Sequence, residues 1–263
     1  MKHKPRKRFG QNFLVDQTII QRIVDSINTG PGQTVVEIGP GQGALTMPLL
    51  ATGCDLHVVE IDRDLVTQFR LNNPVLLHDE HRFFLHEADA LRADFREIAG
   101  VDNFKLVGNL PYNISTPLIF HTFNWRKQIS EMIFMLQKEV VERMAASAGD
   151  GKTYGRLSVM TQYYCKVEPL FMVPPGAFFP SPKVESSIVR LIPHQTLPVK
   201  VNDEDRFDKI VKAAFGMRRK TLRNALKLLL DSDEIVAAGI EPSSRAEQLT
   251  LEEFAALANY QTQ

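Results

Sequence analysis

Through the first two thirds of the chain, short apolar runs with strand-like alternation take turns with stretches of helical period. That alternation is the tightest constraint on the fold. A strand that returns through a helix comes back parallel to its predecessor, so the repeat builds a parallel sheet wrapped by helices. Strands are expected at residues 34–38, 56–61, 82–86, 105–107 and 132–136, with helices at 16–28, 43–51, 63–71 and 115–123. Gly30-Pro31-Gly32 marks where the first strand begins, and Pro174-Pro175 and Phe179-Pro180-Ser181-Pro182 break the chain before a β-branched run at 187–192 that suits a late strand pair. The count is compatible with seven strands in a doubly wound α/β sheet.

Beyond Pro193 only the helical period survives, with Phe207, Ile210, Val211, Ala214 and Phe215 at one-face spacing and Leu222, Leu226 and Leu229 following. The chain is therefore read as a large α/β domain over 1–194 and a small all-helical domain over 195–263. With 263 residues and 44% hydrophobic content, both can bury a core. Apolar runs fall short of a membrane span and Met1-Lys2-His3-Lys4 leads into charge, so a cytoplasmic protein with no membrane partner is expected. Cys54 and Cys165 lack metal-ligand spacing and read as core thiols; no metal is expected.

The formal net charge of zero conceals segregation. Lys2, Lys4, Arg6, Lys7 and Arg8 crowd the start, and Arg206, Lys209, Lys212, Arg218, Arg219, Lys220, Arg223 and Lys227 face Asp208 alone before an acidic C-terminal stretch. Either block by itself is an ordinary solvated surface. Paired with nucleotide chemistry, they become phosphate contacts, with Arg6, Lys7, Arg8, Arg218, Arg219, Lys220 and Arg223 as the RNA-binding set.

Glu37-Ile38-Gly39-Pro40-Gly41-Gln42-Gly43-Ala44-Leu45-Thr46 lies where a strand ends and a helix starts, the place where glycines let a backbone approach a ligand. Alone it is ambiguous, because Gly39, Gly41 and Ala44 also satisfy the dinucleotide fingerprint. Glu60, Asp89 and Asn109 each follow an expected strand, so a doubly wound sheet gathers them on one edge beside Gly39. Glu60 can accept both hydroxyls of a ribose, and Asp89 can accept from an adenine amine. The first and fourth strands would meet at the switch point and set the glycine loop opposite the Asn109 loop.

Gly108-Asn109-Leu110-Pro111-Tyr112 is the most specific feature. An adenine amine is a poor nucleophile because its lone pair is conjugated with the ring. Two acceptors on its hydrogens, the Asn109 side-chain carbonyl and the Leu110 backbone carbonyl, favour a pyramidal nitrogen and stabilise the charge that develops as a methyl group arrives. Pro111 holds Leu110 extended and Tyr112 offers a face to a flipped base. The bland alternative is a turn with Ser115 as N-cap of the next helix.

This loop resembles the N-(L/I/P)-P-Y motif of adenine-N6 methyltransferases, and the 37–46 stretch resembles their cofactor motif. Arg8-Phe9-Gly10-Gln11-Asn12-Phe13-Leu14, Leu136-Gln137-Lys138-Glu139-Val140-Val141, Tyr154-Gly155-Arg156-Leu157-Ser158-Val159 and Phe179-Pro180-Ser181-Pro182-Lys183-Val184 are similar to the bacterial small-subunit rRNA adenine dimethyltransferase family, from residue 6 to the end. The resemblance implies a Rossmann-like, seven-stranded class I methyltransferase domain and S-adenosylmethionine as methyl donor. It also implies 16S rRNA in the immature small subunit as partner, dimethylation of two adjacent adenosines in the hairpin near its 3′ end, and a monomer. By motif position it assigns cofactor contacts to Asn12, Leu14, Gly39, Gly41, Glu60, Asp89 and Asn109. It gives the segment from Phe9 to Leu14 a role in closing over the methionine end of the cofactor. Phe178 and Phe179 would flank the base opposite Tyr112, and Lys183 would touch phosphate.

Three other readings compete: a large-subunit rRNA methyltransferase of the macrolide-resistance type, an RNA-binding assembly factor with secondary or no catalysis, and a nicotinamide oxidoreductase. The 137–141 and 154–159 stretches favour the small-subunit enzyme over the first. Intact Gly39, Glu60, Asp89 and Asn109 argue for catalysis against the second. The third leaves the 109–112 loop unexplained.

Overall fold

The computed structural model describes residues 12–73, 82–217 and 219–260. Among the described residues nine strands appear: β1 (Phe13–Leu14), β2 (Thr34–Ile38), β3 (Asp55–Glu60), β4 (Phe83–Glu87), β5 (Phe104–Asn109), β6 (Ile129–Gln137), β7 (Cys165–Val173), β8 (Phe178–Phe179) and β9 (Ser186–Pro193). Seven of them form one sheet in the order β4-β3-β2-β5-β6-β9-β7, while β1 and β8 pair separately. The β3–β4, β2–β3, β2–β5 and β5–β6 pairs are parallel, and β9 runs antiparallel to β6. The order reverses between β2 and β5, the expected first and fourth strands. The β7 strand carries Pro169 and was not among the expected strands; it lies at the sheet edge, where a missing backbone donor is tolerated.

The helices are α1 (Gln17–Ile27), α2 (Thr46–Ala51), α3 (Arg63–Asn72), α4 (Phe95–Ala99), α5 (Ser115–Thr122), α6 (Lys138–Ala145), α7 (Arg156–Tyr164), α8 (Glu204–Gly216), α9 (Leu222–Ala225), α10 (Ser232–Ala237) and α11 (Leu251–Asn259). None among the described residues is long and apolar enough to cross a membrane. In α1, Asp16 accepts from the amides of Thr18 and Ile19, and Ile20, Ile23, Val24 and Ile27 form a buried stripe. Its C-terminal end is satisfied by the sheet: Lys105 Nζ donates to the Ile27 and Asn28 carbonyls at 2.7 and 2.9 Å while paired with Glu131 at 2.7 Å. Cys54 and Cys165 are buried, as expected of core thiols.

The chain divides into two compact units, but not at residue 195 alone. The first runs to Val141 and resumes over Glu168–Pro193; the second holds Glu142–Val167 and everything from His194 onward. The excursion over 142–167, assigned above to the α/β domain, joins the helical unit because α7 packs there. Fully buried Tyr163 meets the Phe207 ring at 4.7 Å between centroids, and Arg156 pairs with Asp208 at 2.7 Å. The C-terminal acids have local work: Asp231 with Glu234, and Thr250 with Glu253, form capping boxes on α10 and α11. Two details depart from the expected helical stripe. Leu230, not Leu229, is buried with Leu222 and Leu226, because α9 is a single turn followed by a tighter one. Arg206 belongs to the fold, donating to the carbonyls of Ala258 and Tyr260.

The centre of the first unit is β2, buried along its whole length, including Glu37. The Thr46 hydroxyl donates to Glu37 Oε2 at 2.7 Å. Burial first, with the nearby Glu60 carboxylate adding to it, raises the Glu37 carboxyl from 4.5 to about 7. Beside it, β5 approaches β2 so closely at Gly108 that a Cβ there would lie 2.6 Å from the Ile38 carbonyl oxygen.

Two stability predictions follow from these contacts. Gly108→Ala is expected to cost about 3 kcal/mol in denaturant unfolding, because both backbones must part; a loss below about 1 kcal/mol counts against the close approach. An unfolded glutamate ionises near 4.5, so between there and 7 the folded protein keeps a proton that the unfolded chain has lost, and stability falls as pH rises through that window. Unfolding curves from pH 5 to 8 should show Glu37→Gln gaining about 3 kcal/mol on the wild type across it; parallel profiles would refute a protonated Glu37.

Candidate active site

The C-terminal ends of β2, β3, β4 and β5 point to one edge of the sheet, where their connecting loops surround a cavity of about 360 Å³. Every expected cofactor residue lines it: Asn12, Leu14, Gly39, Gly41, Glu60, Asp89 and Asn109. Leu110, Pro111 and Tyr112 line it as well. The Gly39 amide donates to the Val59 carbonyl at 2.9 Å, which ties the glycine loop to β3. Gly39 and Gly41 adopt positive φ of 68° and 58°. A Cβ on Gly41 would stand 3.2 Å from the Phe13 ring, so the loop passes directly beneath the first described segment.

Glu60 closes β3 and is buried; its Oε1 accepts from the Asp62 amide at 2.9 Å. Burial raises its carboxyl above the usual range, partly countered by hydrogen bonds from the backbone of Asp62, Ile61 and Gly41. These donors fix the orientation of the carboxylate in the cavity. Asp89 shapes its own turn, with Oδ1 accepting from the Leu91 amide at 2.9 Å. Its contact with exposed Arg92, at 3.9 Å, adds little.

The 109–112 loop is held from several sides. Asn109 Nδ2 donates to the Asn12 carbonyl at 3.2 Å, which leaves the amide oxygen as the acceptor of that side chain. The Leu110 amide donates to Met135 of β6 at 3.2 Å, and its side chain is buried. The Ile114 amide donates to the Pro111 carbonyl, and the Ser115 hydroxyl donates to the Tyr112 carbonyl at 3.3 Å. Ser115 is therefore the first residue of α5 and not its N-cap; Ile114 takes that position without a side-chain bond. The half-buried Tyr112 phenol meets Ser186 Oγ at 2.9 Å.

Strands β1 and β8 pair antiparallel, Phe13 opposite Phe179 and Leu14 opposite Phe178. The two phenylalanines consequently face opposite ways. Phe178 is 4% exposed within the core formed by α1, β2 and β3, so its expected stacking role is corrected to packing. Phe179 is 67% exposed. Lys183, Arg219, Lys220 and Arg223 are exposed, and Arg6, Lys7, Arg8 and Arg218 lie outside the described residues. Sequence reasoning missed Ile61 and Ser186. Ile61 lines the cavity yet is 49% exposed, and its place directly after Glu60 at a strand end was the available signal. Nothing local marks Ser186, whose partner is 74 residues away.

Residues 2–263 match the family model of ribosomal RNA adenine dimethylase. The ribosomal RNA small subunit methyltransferase A of Pseudomonas putida is 55% identical over 262 residues, 98% of this chain and 95% of its own. That of Vibrio cholerae is 51% identical over 259 residues, 98% and 94% of the two chains. Among solved structures, a dimethyladenosine transferase from Plasmodium falciparum superposes with a TM-score of 0.77 at 26% identity over 93% of this chain and 95% of its own. The 23S rRNA methyltransferase ErmE, at 24% identity and a TM-score of 0.70 over 94% and 98%, shares the fold. A family model matched over residues 2–263, and relatives more than half identical over 98% of this chain, place it in the ribosomal RNA adenine dimethylase family, enzymes that methylate adenine in ribosomal RNA.

Proposed function

We propose that this protein dimethylates the N6 amines of two adjacent adenosines in the 3′-terminal hairpin of 16S rRNA, using S-adenosylmethionine, within the immature small ribosomal subunit in the cytoplasm. The observation that carries this is the meeting of two loops in one cavity: the glycine loop after β2 and the 109–112 loop after β5. The choice of small over large subunit rests on relatives that are more than half identical and named for the small subunit, since the ErmE likeness is one of fold alone.

The cavity suits the donor in size and chemistry. About 360 Å³ is within the range of cofactor pockets. The Glu60 carboxylate stands ready for a ribose diol, Asp89 for an adenine amine, and Phe13 and Leu14 close the glycine-loop side. S-adenosylmethionine supplies a methyl group made electrophilic by a sulfonium. The protein's own contribution is to present the nucleophile. Tyr112 stacks on the extruded base, the Asn109 amide oxygen and the Leu110 carbonyl accept the hydrogens of the amine, and nitrogen lone-pair density is released from the ring. In the second round one hydrogen remains, so a single acceptor suffices and the other relinquishes its bond. No strong base is needed: the nitrogen becomes acidic only as its bond to the methyl carbon replaces the one to the sulfonium sulfur, and the proton it then sheds passes to solvent. The exposed cations Arg219, Lys220 and Arg223, with Arg6, Lys7, Arg8 and Arg218, contact phosphate.

Asn109→Ala is expected to lower methyl transfer to undermethylated small subunits by about 10²-fold or more while subunit binding stays near wild type. Filter-binding and labelled-methyl assays separate the two, and unchanged turnover refutes the loop assignment. Reversing Arg219 and Arg223 to Glu should weaken subunit binding and reduce the slope of log K against log salt by roughly one unit per lost phosphate contact. A slope equal to wild type returns both residues to plain solvated surface.

A further inference from the structure

We infer that Ser186 is a positioning residue for methyl transfer: its hydroxyl anchors the phenol of Tyr112 and so holds the stacking ring in the plane that the target adenine must adopt. The inference rests on the function proposed above. Ser186 opens β9 opposite Gln137 of β6, and the preceding Glu185 carbonyl accepts from the Lys138 amide at 3.0 Å. Its backbone is thus set by the sheet and not by the reacting loop. Its side chain is buried, and the hydroxyl meets the Tyr112 phenol at 2.9 Å. A buried hydroxyl is costly without a partner, and an apolar residue would pack at a strand start with less constraint.

The other end of Tyr112 is also held, since its carbonyl accepts from Ser115 at the start of α5. Tyr112 is therefore held at its backbone by a helix start and at its phenol by a strand start. A stacking face helps catalysis only while its plane is fixed relative to the methyl donor, and small misplacements are expensive in rate. Ser186 also ends the segment, residues 179–186, that begins with exposed Phe179. The tether of one aromatic and the placement of the other consequently belong to a single stretch of chain.

The test is a double-mutant cycle in methyl transfer to undermethylated small subunits, with S-adenosylhomocysteine affinity measured by calorimetry. Tyr112→Phe keeps the stacking face and removes only the tether, and Ser186→Ala removes the same tether from the other side. Each is expected to lower kcat about tenfold, one hydrogen bond's worth, with cofactor affinity within about twofold of wild type. The double variant should be no slower than either single, and Ser186→Thr, which retains the hydroxyl, should recover most of the rate. Multiplying losses in the double variant, or a fully active Ser186→Ala, would overturn the inference. Should Ser186→Ala prove unstable to heat, Ser186→Cys takes its place in the cycle with the same outcomes. A wild-type protein that transfers no methyl group to small subunits would instead defeat the proposed function.

Discussion

The close approach of β2 and β5 is the constraint on which the rest of this site depends. Parallel strands reverse their winding order between these two, so the loops leaving them diverge to opposite faces and open a crevice. Gly108 lets the pair come together where any side chain would strike the Ile38 carbonyl. One residue further along each strand stand Gly39 and Asn109, the first members of the two working loops. The two loops meet at one cavity because one glycine makes close backbone approach possible.

Charge at this edge is arranged with equal economy. Glu37 and Glu60 are buried acids on adjacent strands, each raised chiefly by burial, yet their surroundings separate their roles. Glu37 accepts from the hydroxyl of Thr46 at the start of α2, whereas Glu60 accepts from backbone amides; both kinds of bond favour the ionised form against burial, and both residues line the cavity. Below about pH 7 the protonated form of Glu37 removes one of the two charges from this buried pair.

The aromatic side chains show how packing divides similar residues. Phe178 and Phe179 are neighbours in sequence, but strand alternation sends one into the core and the other to solvent. The pairing of their strand with β1 also places Phe13 over Gly41, so a side chain lining the cavity and the exposed aromatic share one small two-stranded sheet.

Much of this was legible in the sequence, because it was written in local chemistry. Apolar periodicity yielded the strand–helix alternation, glycines and strand-end acids marked the sheet edge, and Asn109-Leu110-Pro111-Tyr112 stood out as a loop lining the cavity there. The places of the five expected strands, though not all their ends, and the meeting of the first and fourth followed from the same rules. What tertiary structure alone decided were contacts between distant residues. The return of 142–167 to the helical unit depends on Tyr163 reaching Phe207, the β7 edge strand tolerates a proline only because it is an edge, and Ser186 acquires meaning from a phenol 74 positions away. Local patterns report which face a residue turns inward. They carry no record of what it finds there.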